Sequence, residues 1–264
     1  MDIPRTTDFG SGNWDPRVTT VDALAKRTER EIELSTLPIV GNPRELGGGS
    51  NTVLLVSFEG GSRGVFKPGD GERRLEIPES RGKLFKREAA AYLVSCGLNF
   101  NLVPPTVLRE ISGREGSIQD FVTDPKNSIW EVDESEVAEQ LFELSIFDYV
   151  IWNKDRKVAN FFIKDKAVLA ADNGLSFDDW FQYLISDNLS EYVLGKPVPD
   201  KLITNIRSFL NSNKDQEEIR SKLSPLVPDR AVDTMFERVK KVHRVLAKGR
   251  VSEHDIRSME YNPI

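Results

Sequence analysis

The chain has 264 residues, enough for one large domain or two joined lobes, and its 39% hydrophobic and 30% charged content is ordinary for a folded protein. Its net charge of −6 argues against nucleic acid as the main partner. A single cysteine, Cys96, excludes an internal disulfide, and two late histidines, His243 and His254, argue against a histidine triad or a multi-histidine metal site.

The first twenty residues are polar and read as a loose segment without a secretory leader, so a reducing cytoplasm is the expected compartment. A helix is predicted from Val21 to about Glu33, and a short strand at Leu37–Val40. Gly47-Gly48-Gly49-Ser50-Asn51 reads as a flexible turn before a buried strand, Thr52–Phe58 (TVLLVSF). Glu59–Ser62 turns the chain back into Gly64–Lys67, which Pro68 closes. A second helix is predicted over Leu84–Cys96, ended by Gly97. A hairpin follows, with strands Thr106–Ile111 and Ser117–Val122 and a turn over 112–116.

The character changes after Thr123. Asp133-x-x-Glu136 is a capping-box pattern, and Val137, Leu141, Leu144 and Ile151 form an apolar stripe at helical spacing. The stretch near 141–152 contains Glu143 and Asp148, so it is too short and too charged to span a bilayer. A loop at 153–159 leads into a small hairpin, Phe161–Ile163 and Ala167–Ala171. The remainder is mostly helical, ending in a helix from about Asp229 with Val232, Phe236, Val239, Val242 and Leu246 on one side. Its cations (Lys240, Lys241, Arg244, Lys248, Arg250) read as a solvated face rather than a lipid- or nucleic-acid-binding patch. This is an α+β plan. The expected domains are an N-terminal extension and helix (1–34), a strand-rich lobe (35–123) and a helical lobe (124–264).

No G-x-S-x-G, H-E-x-x-H, paired C-x-x-C or Walker A pattern occurs, which leaves carboxylates and amides to carry any chemistry. Asp155 and Asn160 are five positions apart in the loop after the buried helix, and Asp172 follows the small hairpin. A hairpin brings its ends together, so Asn160 and Asp172 are expected side by side. Oxygen ligands of this kind suit magnesium bridging to ATP phosphates, with Asp155 placed to take a proton from an acceptor hydroxyl. Ordinary turns also use Asp and Asn, so the spacing alone is not decisive.

Lys67 ends a buried strand and is a candidate phosphate contact if a carboxylate holds it; Glu88 in the next helix is the candidate partner. Taken alone, a lysine closing an exposed strand and a solvated glutamate are the simpler reading. Backbone N–H groups of the 47–51 turn, with Ser50 and Asn51, are candidate phosphate donors. Gln119, Asp120, Phe121 and Val122 read as a hinge whose backbone meets the adenine edge; a plain linker strand reads equally well.

These residues together resemble the phosphatidylinositol 3/4-kinase-related superfamily, and within it small bacterial proteins related to the toxin kinase HipA. The resemblance covers roughly 35–200. It rests on Gly49-Ser50-Asn51-Thr52, Gly64-Val65-Phe66-Lys67-Pro68, Lys86-Arg87-Glu88-Ala89-Ala90-Ala91-Tyr92, Val103-Pro104-Pro105-Thr106, Asp155-Arg156-Lys157 with Asn160, and Asp172-Asn173-Gly174-Leu175-Ser176-Phe177.

It implies a bilobal protein-kinase-like fold, with ATP and Mg2+ as cofactors. It also implies Lys67 on phosphate, Glu88 orienting Lys67, Asp155 as catalytic acid/base, and Asn160 and Asp172 on metal. The segment after Gly174 departs from the family. It carries Asp178, Asp179, Asp187 and Glu191 where a lipid kinase needs cations, which argues against a phosphoinositide acceptor. An AMP transferase on the same fold and a nucleotide-binding pseudokinase scaffold are the competing readings.

Overall fold

In the computed structural model the described residues are 21–47, 51–72, 83–124, 132–177 and 189–260. The chain forms two compact units: Met1–Phe85 with Pro105–Asp124, and Lys86–Pro104 with Pro125–Ile264.

The first unit is a five-stranded antiparallel sheet with one helix, α1 (Val21–Thr36). Its strands are β1 (Ile39–Glu45), β2 (Leu54–Phe58), β3 (Arg63–Pro68), β4 (Thr106–Ile111) and β5 (Arg114–Asp120), in the order β1-β2-β3-β5-β4. Side chains alternate between faces along a strand. In β3 this sends Gly64, Phe66 and Pro68 to the buried side and leaves Lys67 half-buried on the other. Phe66 joins Leu34, Val56, Phe58, Ile111 and Ile118 in one core, so α1 lies on the Phe66 side. The β2–β3 pairing sets Leu54 opposite Phe66 and Ser57 opposite Arg63.

The β4–β5 hairpin is tighter than the five-residue turn read from the sequence. Ile111 pairs directly with Arg114, and Ser112 and Gly113 both take left-handed φ values, 53° and 77°. A two-residue turn of this kind matches the twist of the strands it joins. Strand β5 therefore begins and ends earlier than 117–122, and Phe121 and Val122 lie beyond it. Gly116 is required opposite Pro68: a Cβ there would stand 2.5 Å from the Lys67 carbonyl oxygen and 2.6 Å from the Phe66 ring.

The second unit is helical around a small hairpin. It holds α2 (Leu84–Gly97, from Lys86 onward), α3 (Ala138–Ile151), β6 (Phe161–Lys164), β7 (Ala167–Ala170), α4 (Asp200–Asn211), α5 (Asn213–Leu223), α6 (Asp229–Leu246) and α7 (Glu253–Glu260). Asp133 accepts hydrogen bonds from the Ser135 backbone and hydroxyl and so caps a short 3-10 turn; the α-helix starts only at Ala138. Helix α3 is buried from Leu141 to Ile151, packed on every side, with α6 among its neighbours.

The basic residues of α6 and beyond are largely engaged within the chain. Lys240 pairs with Glu237, Lys248 with Asp255, and Lys241 and Arg250 donate to the Ser258 and Gly195 carbonyls. Among the described residues no helix is long and apolar enough to cross a membrane.

Glu143 is the costly residue of α3. It is 8% exposed, and burial pushes its carboxyl up to about 7, against the pull of Lys201. A carboxyl raised in the folded state binds more protons there than in the unfolded chain. Stability therefore falls as pH rises from about 4.5 through about 7 and stays low above it. Glu143→Gln is expected to raise stability at pH 8 by up to about 3 kcal/mol and to flatten this part of the profile. Urea melts at pH 5 and pH 8 measure it; an equal effect of the substitution at both pH values refutes the assignment.

Candidate active site

The site grows from the end of α3. Trp152, fully buried, caps the helix in the left-handed conformation (φ 56°, ψ 50°), and its N–H returns to the Asp148 and Tyr149 carbonyls. The Tyr149 ring and the Arg238 guanidinium pack on the Trp152 ring at 5.9 and 5.3 Å, and Arg238 also donates to the Val150 carbonyl (2.9 Å). The chain leaves the helix into residues 153–160 from this fixed point.

Asn153, fully buried, accepts from the Asp155 N–H (3.0 Å) and donates to Asp148 Oδ1 (3.3 Å). The Asp155 backbone is thereby pinned while its side chain stays about one-third exposed. Lys157 Nζ sits 3.1 Å from Asp155 Oδ2. Asn160 Nδ2 donates to both the Asp155 carbonyl (2.6 Å) and Asp155 Oδ2 (3.1 Å). An amide oriented this way turns Oδ1, its acceptor, to the other side.

The hairpin then does what its pairing requires. Phe161 stands opposite Ala170, and the Ala171 N–H donates to the Asn160 carbonyl (3.0 Å). Asp172 follows directly, exposed, at φ 54°. Asp and Asn tolerate this region better than most residues. Next to it, the Asn173 N–H donates to Glu88 Oε2 (2.9 Å), and Glu88 is 3% exposed. Asp155, Asn160, the Asp172 turn and Glu88 are thus linked through one hydrogen-bonded loop system.

Arg156 ties that system together. Its Nε and Nη2 hold the Asp148 carboxylate (2.9–3.1 Å), Nη1 donates to the Asn160 and Ala171 carbonyls (2.5 and 2.6 Å), and Nη2 also reaches Asn173 Oδ1 (2.5 Å). All five guanidinium donors are used. Burial pushes the Asp148 carboxyl up, against the pull of Arg156 and Asn153. Sequence reasoning gives Asp148 and Asn153 no role in the site and quotes Arg156, Lys157 and Asn173 only within motifs. One signal was present: a carboxylate inside the apolar run Ser145-Ile146-Phe147-Asp148-Tyr149-Val150 needs a buried partner.

The other candidates lie in the first unit, except Ser50, which falls outside the described residues. Lys67 is on β3, on the face away from α1. Asn51 is half-buried beside Thr52, whose N–H donates to the Gly71 carbonyl (2.9 Å). Of the four residues read as a hinge, Gln119 and Asp120 belong to β5. Gln119 lies inside β5 between β3 and β4 and donates to Thr106 Oγ1 (2.9 Å). The Asp120 carboxylate is held by Arg30 of α1 (2.7 Å). Phe121 donates its N–H to the Arg63 carbonyl (3.3 Å) and lies under the Arg63 guanidinium (4.3 Å).

No family model matches the chain. A stretch of 84 residues is 39% identical to protein Rv2133c of Mycobacterium tuberculosis; it covers 30% of this chain and 30% of that protein. Three solved structures align over most of the chain. Hydra Fam20 with sugar matches at TM-score 0.64 and 16% identity, over 90% of this chain and 93% of its own. The Golgi casein kinase with Mn/ADP bound matches at 0.60 and 17%, over 90% and 80%. The Helicobacter pylori proinflammatory kinase CtkA matches at 0.53 and 11%, over 81% and 97%.

The fold is kinase-like. The antiparallel sheet of the first unit and the helical second unit are the α+β plan that the sequence predicts. At these identities the likeness carries the fold.

Proposed function

We propose that the chain is an ATP-dependent phosphotransferase, an atypical kinase of the phosphatidylinositol 3/4-kinase-related type. It would move the γ-phosphoryl group to a protein or small-molecule hydroxyl. The observation that carries this reading is the hydrogen-bonded set Asp155–Asn160–Ala171, which joins a partly exposed carboxylate, an amide and the Asp172 turn in one loop system. The kinase-like fold, with one neighbour bound to Mn and ADP, supports it.

In this reading Asp155 accepts the proton of the acceptor hydroxyl as its oxygen attacks the γ-phosphorus and the bond to ADP breaks. The Lys157 ammonium beside it offers compensation for charge on the transferred group. Asn160 Oδ1 and the Asp172 carboxylate would hold a divalent ion, magnesium by preference. Such an ion would supply charge neutralisation for the nucleotide phosphates. Among the described residues no group of three or more His, Cys, Asp or Glu could hold a metal by itself. Glu88 holds the Asp172 turn through the Asn173 N–H. Lys67, Ser50 and Asn51 are assigned to phosphate, and the backbone of Phe121 and Val122 to adenine.

Incubation with γ- and α-labelled ATP and Mg2+ tests the reading. Transfer of the γ label alone is expected. Transfer of the α label replaces it with AMP transfer, and nucleotide binding without transfer of either replaces it with a scaffold.

A further inference from the structure

We propose that helix α1 positions the nucleotide-contacting segment that follows β5, acting through Arg30; the inference rests on the kinase reading above. The sequence places α1 in an extension outside the strand-rich lobe, yet the structure builds it into the first unit. Arg30 is 4% exposed and uses every donor it has. Nε and Nη2 hold Asp120 Oδ1 (2.8 and 2.7 Å), Nη1 reaches Glu33 Oε2 (2.6 Å) and Ser62 Oγ (3.1 Å), and Nη2 donates to the Arg63 carbonyl (2.8 Å).

The last contact links the helix to the segment in question. The Arg63 carbonyl also accepts the N–H of Phe121, so Arg30 and the first residue beyond β5 share one acceptor. Asp120, the residue before, is fixed from both sides: its carboxylate by Arg30 and its N–H by the Pro105 carbonyl (2.8 Å). A buried arginine of this kind specifies direction as well as adhesion, because only one orientation of the fork satisfies all its partners.

Helix α1 has a second anchor, which shares with Arg30 only the Phe58 ring that both guanidiniums overlie (5.7 and 5.8 Å). Arg109 of β4 donates to the Leu34 and Leu37 carbonyls (2.9 and 2.7 Å), one turn on from Arg30 and just past the end of the helix. That contact involves neither Asp120 nor Arg63, so it holds α1 without reaching the segment after β5. The two anchors separate a positioning role from a merely structural one.

The test is titration of the full chain with a fluorescent ATP analogue and Mg2+, with thermal midpoints measured in parallel. Arg30→Met is expected to weaken binding on the order of tenfold, at a temperature where the chain remains folded. Arg109→Met is expected to lower the midpoint while leaving affinity within about twofold. Arg30→Lys can pair with Asp120 but cannot serve all of the remaining acceptors, so it is expected to fall between wild type and Arg30→Met; if Arg30→Met does not fold, the lysine variant decides. Unaltered affinity in the Arg30 variants, or an equal loss in Arg109→Met, overturns the inference and leaves the kinase reading standing. A wild-type chain that binds no nucleotide overturns both.

Discussion

Asp155→Ala is expected to cut phosphoryl transfer by about 10²- to 10⁴-fold, the range for loss of a positioned acid or base, with the thermal midpoint nearly unchanged. The fold tolerates the change because the contacts that fix residue 155 are made by its backbone. Its N–H meets Asn153 and its carbonyl meets Asn160, and both survive truncation of the side chain. The lost ion pair with Lys157 is partly exposed to solvent, and such pairs contribute little to stability. Steady-state rates with ATP and Mg2+, measured beside a thermal melt, decide it; wild-type turnover in the variant removes Asp155 from the mechanism. Asp172→Asn is the companion. Asn tolerates φ near 54° as Asp does, so the variant keeps its turn and loses only charge. Metal-dependent nucleotide affinity is the quantity expected to drop.

The second large effect concerns stability. Asp148→Leu leaves the Arg156 guanidinium buried without its carboxylate, and Arg156→Met leaves the reverse. Each is expected to cost about 3–5 kcal/mol, because an unpaired charge remains in a site where both side chains are at most 1% exposed. The double variant Asp148→Leu/Arg156→Met removes both charges and is expected to recover a large part of that loss. It does not recover the bonds from Arg156 to the Asn160 and Ala171 carbonyls, so its transfer activity should stay low while its stability returns. Urea denaturation of the three variants measures the cycle. Additive losses would show that the pair is not coupled.

The sequence predicts those parts of the molecule that periodicity and turn chemistry control. The returning strand at β3 and the helical stripe of α6 both appear, and the short hairpin β6–β7 brings Asn160 beside Ala171 as its length demands. Boundaries fail where local geometry takes over. The Ser112-Gly113 turn starts β5 early and leaves Phe121 outside it, and the capping pattern at Asp133 serves a 3-10 turn instead of α3. What escapes the sequence is long-range polar pairing. Arg30 meets Asp120 across ninety positions and Glu88 meets Asn173 across eighty-five, and no spacing rule announces either. Glu88 therefore has a partner that the motif does not suggest.

The two-residue rhythm of β3 has a consequence for mutational tolerance. Phe66 and Lys67 differ only in the direction they point, and the loop at 59–62 sets which is which through the pairing of Ser57 with Arg63. One residue added to that loop, with the strand slipping to match, would deliver an ammonium into the oily layer beneath α1 and expel an aromatic ring to the opposite side. Such an indel alters no candidate group chemically, yet it exchanges an ammonium for a phenyl on the face away from α1. Length variation should therefore be rarer between β2 and β3 than side-chain variation at the same tip.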